Sequence, residues 1–148
     1  DINLRNFKFK SKQIFPYGID VTNDKMIEKF LDKIDFKKNI SFFDIIIDDG
    51  SHILSHQLKA LNSFFKLVKK GGYYVIEDYK FPEYFKHLND VSELSIGEMI
   101  KNIKKNKSFK TDLINKDTYD LLKKNTLNIS EHKGYKDISD IMFIEKLN

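Results

Sequence analysis

Two apolar runs in the first half of the sequence have the pattern of buried strands. Residues 42–47 (FFDIII) and 73–76 (YYVI) contain β-branched and aromatic residues without regular polar alternation. Such runs are typical of strands that are covered on both faces of a parallel sheet. An earlier run at 14–19 contains Pro16, which predicts an edge strand or an irregular one.

Apolar residues elsewhere recur at the three- and four-residue spacing of a helix. The clearest stripe covers 54–68, with Ser51 before it as a candidate cap and a pair of glycines just past its end. Weaker stripes predict a helix at 26–34 and an amphipathic helix at 96–103. Strands and helices therefore alternate over the first half of the chain.

This alternation predicts a Rossmann-like α/β fold with a doubly wound, mostly parallel sheet. Two further runs, at 126–132 and 140–146 around Gly134, predict an antiparallel C-terminal hairpin at the sheet edge. Residues 79–125 break the rhythm and are interpreted as a helical insertion over the site. The length fits one domain, so 1–148 is interpreted as a single α/β domain.

Composition narrows the class of protein. The sequence has no cysteine, which excludes disulfides and thiolate chemistry. No apolar run reaches the roughly 18–20 residues of a membrane span, and no signal peptide is recognisable, so we expect a cytoplasmic protein with no membrane partner. The net charge is +4, but Arg5 is the only arginine and the lysines are scattered, which disfavours nucleic acid as a partner.

Paired carboxylates end both of the strongest predicted strands: Asp48 and Asp49 after the first, Glu77 and Asp78 after the second. Ligands of open α/β sheets lie beyond the carboxyl ends of the strands, and adjacent strands are about 4.8 Å apart. The sequence therefore predicts an all-oxygen metal site, for Mg²⁺ first and for Mn²⁺ or Ca²⁺ otherwise. Alternatively, these carboxylates cap helices or pair with lysines, and Gly50 supplies a sharp turn with positive φ.

Two histidines follow the first pair of carboxylates. His52 lies three residues after Asp49, where an imidazole can act as a general base, and His56 lies one turn further on. The same three residues also match a zinc triad, although Ile53 stands where a zincin helix carries its glutamate. Both histidines can instead be structural. The six glycines form neither G-x-G-x-x-G nor a P-loop.

The motifs IDDGSH at 47–52 and GGYYVIED at 71–78 resemble those of the metal-dependent sugar O-methyltransferases of antibiotic biosynthesis. That family includes macrolide-sugar and tetracenomycin-rhamnose O-methyltransferases and the related cephalosporin-hydroxylase group, all class I S-adenosylmethionine enzymes. The similar block runs from about Asp44 to Tyr84. The resemblance implies S-adenosylmethionine as methyl donor, Mg²⁺ as metal cofactor, and a small-molecule sugar or glycoside as acceptor and partner.

Carried over residue by residue, the resemblance implies that Asp49, Glu77 and Asp78 ligate Mg²⁺ and that His52 takes the proton of the acceptor hydroxyl. The assigned residues of the remaining site are, for the cofactor, Asp1, Asp20 and Asp48, and, for the substrate, His56, Tyr79 and Tyr84. The aromatic cluster that contains both tyrosines is equally consistent with the core of the insertion.

The sequence departs from the family in one respect, because class I methyltransferases hold the cofactor on a glycine-rich loop that this sequence lacks. We therefore interpret the chain as an N-terminally incomplete class I methyltransferase fold and expect it to bind S-adenosylmethionine weakly or not at all. Two alternatives stay open: a non-catalytic α/β binding module, and a metal-assisted hydrolase that uses Asp49, His52 and His56. A homo-oligomer is compatible with the methyltransferase interpretation and with both alternatives.

Overall fold

The computed structural model describes most of the chain, in the ranges 4–5, 7–8, 10–34, 43–124, 128–134 and 138–147. It divides the chain into two compact units, 1–39 and 40–148, which are described separately. None of the helices in the described ranges is long and apolar enough to cross a membrane.

The first unit contains helix α1, Asp24–Lys33, which confirms the helix predicted at 26–34. The Asn23 side chain caps it by accepting a hydrogen bond from the Met26 N–H. The strand predicted at 14–19 is wrong, because these residues form neither a strand nor a helix. Pro16 offers a physical reason, since its nitrogen has no hydrogen to donate to a neighbouring strand.

The second unit is built on a four-stranded sheet in the order β1-β2-β4-β3. The strands are β1 (Phe43–Asp48), β2 (Val68–Glu77), β3 (Ile129–Lys133) and β4 (Asp140–Glu145). β1 and β2 are parallel, whereas β4 is antiparallel to both β2 and β3. The α/β class and the C-terminal hairpin are confirmed. The sheet is mixed, with less parallel pairing in the described residues than predicted, because the run at 14–19 adds no strand.

Helix α2, Leu54–Phe64, forms the crossover between the two parallel strands and ends in a 3₁₀ turn at Phe65–Leu67. The glycines predicted to follow the helix lie inside β2 instead. Gly71 has a φ of +74°, and the strand register shifts there in a bulge. A Cβ atom on Gly72 would lie 2.5 Å from the Asp44 backbone oxygen, so the close approach of β1 requires glycine.

The core lies between one face of the sheet and the helices α2, α4 (Ile96–Lys104) and α5 (Lys116–Lys124). Side chains that are less exposed than about 2% include Leu58, Phe65, Tyr74, Ile76, Ile100 and Met142. The amphipathic helix predicted at 96–103 is confirmed. It contributes to this core, and the interpretation of 79–125 as an insertion over the site stays a prediction.

The opposite face of β1 is open. Side chains alternate between the two faces of a strand, and Ile45 and Ile47 are 58% and 59% exposed. Cover on both faces of this strand stays a prediction. Between β2 and α4 lie the short helix α3, Phe81–Tyr84, and a 3₁₀ turn at Lys86–Leu88.

Candidate functional site

The carboxyl ends of β1 and β2 lie side by side. Asp48 pairs with Ile76 in the parallel register, so Asp49 and Glu77 follow at the same level of the sheet. The sequence motifs IDDGSH and GGYYVIED therefore meet at one edge, where open α/β sheets bind their ligands.

The last residue of each motif has a left-handed backbone conformation. His52 has a φ of +57° and Asp78 a φ of +50°. Such conformations in residues other than glycine cost free energy and cluster at functional sites. Gly50 is not among the residues with positive φ, so the role predicted for it belongs to His52. A Cβ atom on Gly50 would lie 3.1 Å from the Asp48 Oδ1 atom, a tight contact.

The Asp48 carboxyl group turns inward. Its Oδ2 atom is buried without a hydrogen-bond partner, and so is the hydroxyl of the fully buried Tyr74. Burial raises the pKa of Asp48 to about 6, against the opposing effects of the His52 ring and the Gly50 N–H. Burial and the nearby Asp48 carboxylate also raise the pKa of Tyr74. The two groups influence each other without reaching hydrogen-bond geometry.

The His52 ring lies between a carboxylate and an aromatic ring. Its Nε2 atom is 3.7 Å from Asp49 Oδ1, and its centroid is 5.1 Å from that of Phe81. The histidine side chain is 21% exposed and that of Asp49 62% exposed. The imidazole is therefore oriented by its neighbours yet accessible to a ligand, as a general base requires.

His56 has different partners. Its Nδ1 atom lies 2.7 Å from Ser51 Oγ, which ties the loop before α2 to the first turn of that helix. A third side chain, Asp90, caps the same turn by accepting hydrogen bonds from Ser55 N (3.0 Å) and Ser55 Oγ (2.6 Å). Burial alone would raise the pKa of Asp90, but these hydrogen bonds outweigh it and the pKa is lowered. No sequence motif indicates Asp90.

The two tyrosines assigned to the substrate point into a polar network with the hairpin. Tyr79 is fully buried and donates a hydrogen bond to Glu131 Oε2 at 2.6 Å. Tyr84 donates to Asp140 Oδ2 at 2.6 Å, and Lys80 Nζ lies 3.2 Å from Asp140 Oδ1. Tyr79 is therefore packed in the core, and its contact with the substrate stays a prediction. The Tyr84 ring is 41% exposed, although its hydroxyl is engaged.

The structure tells less about the predicted cofactor residues in the first unit. Asp1 lies outside the described residues. Asp20 Oδ1 accepts hydrogen bonds from Thr22 N at 2.8 Å and from Thr22 Oγ1 at 2.7 Å, which gives it a local role in the turn before α1. Its contact with the cofactor stays a prediction.

The predicted metal ligands occupy adjacent strand ends, but their side chains are not gathered around one point. In the described ranges, no group of three His, Asp or Glu side chains is close enough together to hold a metal ion. This applies to Asp49, Glu77 and Asp78 and equally to the alternative triad. The Asp78 Oδ1 atom is nevertheless buried without a hydrogen-bond partner, which suits an oxygen that binds a cation.

Comparison with solved structures defines the class of fold. The chain is similar to the MycE methyltransferase of the mycinamycin biosynthetic pathway, solved with Mg and SAH, with a TM-score of 0.58 and 23% identity. The match covers 89% of this chain and 32% of that one. A second MycE structure, which also contains mycinamycin VI, matches with a TM-score of 0.57 and 22% identity over 89% of this chain and 31% of that one. The fold is therefore that of a class I methyltransferase.

The sequence relatives are sugar O-methyltransferases, which confirms the resemblance seen in the motifs. The chain is 39% identical over 69 residues to the 8-demethyl-8-(2-methoxy-alpha-L-rhamnosyl)-tetracenomycin-C 3'-O-methyltransferase of Streptomyces olivaceus. It is 35% identical over 85 residues to the mycinamicin VI 2''-O-methyltransferase of Micromonospora griseorubida. The matches cover 43% and 45% of this chain but only 18% and 21% of those enzymes. No protein-family model matches the chain.

Proposed function

We propose that the protein is an S-adenosylmethionine-dependent O-methyltransferase that acts on a hydroxyl group of a sugar or glycosylated small molecule. The observation that carries the proposal is the pair of left-handed residues that follow two adjacent parallel strands: His52 in the loop after β1, and Asp78 directly after β2. They bring an accessible imidazole and a buried, unpartnered carboxylate oxygen to the edge of the sheet that binds ligands. The relatives named above carry out this class of reaction on glycosylated antibiotics.

The donor set fits a divalent metal in its chemistry. Asp49, Glu77 and Asp78 offer only oxygen atoms, the ligands that Mg²⁺ prefers. In this proposal these three carboxylates hold the ion, and the unpartnered Oδ1 of Asp78 gains the partner that its burial calls for. A bound Mg²⁺ supplies a Lewis acid that lowers the pKa of the acceptor hydroxyl.

His52 then acts as the general base and takes the proton of the acceptor hydroxyl at its Nε2 atom. The sulfonium of the donor is already an activated methyl source, so the protein's own contribution is proton removal, alignment and exclusion of water. Asp49, 3.7 Å away, and the Phe81 ring orient the imidazole. Asp1, Asp20 and Asp48 are retained as the proposed cofactor residues, and His56 and Tyr84 as the proposed acceptor side.

The alternative of a hydrolase with Asp49, His52 and His56 loses support from the structure. The Nδ1 atom of His56 lies 2.7 Å from Ser51 Oγ and is engaged by that hydroxyl. The contact with Ser51 lets His56 order the loop before α2, and this role is compatible with its proposed place on the acceptor side.

Calorimetric titration of the 148-residue chain with Mg²⁺ and Mn²⁺ tests the metal site. We expect a single site that disappears in Asp49→Ala. Asp44→Asn is the matched control, because Asp44 is an exposed carboxylate at the other end of the same strand, 2.9 Å from Lys69 Nζ. Binding that survives Asp49→Ala would refute the assignment.

Transfer of labelled methyl groups from S-adenosylmethionine to rhamnosides, measured on the whole protein that the gene encodes, tests the activity. We expect transfer that depends on Mg²⁺. Absence of transfer to every glycoside tested, together with intact metal binding, would favour the non-catalytic binding module.

A further inference from the structure

Four buried side-chain polar atoms in the described ranges have no hydrogen-bond partner: Asp48 Oδ2, Gln57 Oε1, Tyr74 OH and Asp78 Oδ1. They belong to one region, at the carboxyl ends of β1 and β2 and beneath the first turns of α2. Proteins keep few such atoms, so their concentration at one end of the sheet marks that end as functional. Asp48 ends β1, Asp78 directly follows β2, Tyr74 lies inside β2, and Gln57 is supplied by helix α2.

Gln57 is 3% exposed and contacts the backbone of Asp78. Its Nε2 atom donates to the Asp78 carbonyl oxygen at 3.4 Å, at the long end of hydrogen-bond range. The Phe81 N–H donates to the same oxygen at 2.9 Å. One carbonyl is therefore held from two directions, by the turn that follows it and by a helix 21 residues earlier in the chain.

This carbonyl matters because Asp78 has a left-handed backbone, with φ at +50°. A residue in that conformation relaxes unless its surroundings fix it. The carbonyl belongs to the peptide group that follows Asp78, so a donor on it restricts ψ of Asp78 directly. The amide orientation of Gln57 follows from the same contact, since only its nitrogen can face an accepting oxygen.

We propose that Gln57 is a positioning residue, which holds the Asp78 carbonyl in the left-handed turn so that the Asp78 carboxylate faces the strand ends. The inference rests on the proposed function, in which that carboxylate is a metal ligand. The interaction would act through the backbone of the ligand residue, as partners outside the ligand shell commonly do.

Gln57→Met tests the proposal because it preserves the length and approximate volume of the side chain while removing the donor. Gln57→Leu is a second variant, which also has no group that can donate a hydrogen bond. Gln13→Met is the matched control, since Gln13 is the only other glutamine and is exposed. Thermal unfolding establishes that each variant is folded.

The first readout is the backbone ¹³C chemical shifts of Asp78, which report its φ and ψ without any ligand. We expect them to leave the left-handed range in both Gln57 variants and to stay unchanged in Gln13→Met. The second readout is the Kd for Mn²⁺, which should rise about tenfold in Gln57→Met. Unchanged Asp78 shifts in both Gln57 variants would overturn the proposal.

The two readouts separate this inference from the proposed function. If the wild-type chain binds no Mn²⁺ but the Asp78 shifts depend on Gln57, the metal site fails and the positioning contact is supported. If Mn²⁺ binds and its Kd is the same in Gln57→Met and Gln13→Met, Gln57 has no positioning role and the metal site stands.

Discussion

The left-handed conformation of His52 makes a prediction about stability that can be tested without knowledge of the substrate. His52→Ala and His52→Gly both remove the imidazole and its contact with Phe81, so the difference between them isolates the backbone. With φ at +57°, an alanine at this position keeps the unfavourable contact of its Cβ atom, whereas a glycine has none.

The magnitude follows from two opposing contributions. A left-handed conformation costs an L-residue about 1–2 kcal/mol. Glycine loses more backbone entropy on folding than alanine, which offsets about 0.5–1 kcal/mol of that gain. We therefore expect His52→Gly to be about 0.5–1 kcal/mol more stable than His52→Ala.

The assay is equilibrium unfolding in urea for both variants. His132 provides the control, because it is an exposed histidine in β3 with no positive φ. There the order should reverse, with His132→Gly less stable than His132→Ala by about 0.5–1 kcal/mol. If His52→Gly is equal to or less stable than His52→Ala, the left-handed assignment fails, and with it the argument that the site stores backbone strain.

Three further predictions concern the site. In the active enzyme, His52→Ala should lower kcat by roughly 10²–10⁴, and His56→Ala should lower kcat much less. If both variants lose the same amount of metal affinity, the hydrolase triad is favoured instead. The pKa of Asp48 is raised from 3.8 to about 6, so the folded state prefers its protonated form. The stability that this protonated group contributes is present below about pH 4 and is lost as the pH rises through 6. In unfolding measured as a function of pH, Asp48→Asn should therefore gain stability relative to wild type across that interval. A stability difference that does not change with pH would contradict this. Calorimetry should show weak or no binding of S-adenosylmethionine by the 148-residue chain; tight binding would mean that another segment, such as the Asp48–Ser51 turn, replaces the glycine-rich loop.

The periodicity of apolar residues alone predicts the helices that bury one apolar stripe. Helices α2 and α4 form where the sequence predicts them, because their apolar residues have the spacing of one buried face. Strands β1 and β2 contain the two apolar runs that the sequence predicts as strands. The run at 14–19 is also apolar, but strand formation needs a hydrogen-bonding neighbour, and the sequence of a run does not show whether one exists.

The conformations of the glycines and of the strand ends could not be predicted from the sequence. A glycine pair after a helical stripe is consistent with a helix cap and with a strand bulge, and only the approach of the Asp44 carbonyl to Gly72 distinguishes the two. Likewise, the expected positive φ falls on His52 rather than Gly50. Asn, Asp and His are enriched in the left-handed region, but not strongly enough to identify one residue from sequence.

The geometry of the site depends on residues that are remote in sequence. Tyr79, the residue directly after Asp78, is buried, and its hydroxyl is held by Glu131 of β3. The hydrogen bond that Tyr84 donates to Asp140 of β4, followed by burial, raises the pKa of Tyr84 to about 12. The motif does not show this contact. These contacts fix the chain after Asp78 from the hairpin side, while α2 contacts it from the other. A strained residue persists only where its surroundings determine it from several directions. The C-terminal hairpin therefore contributes to the candidate site as much as the motif that identifies it.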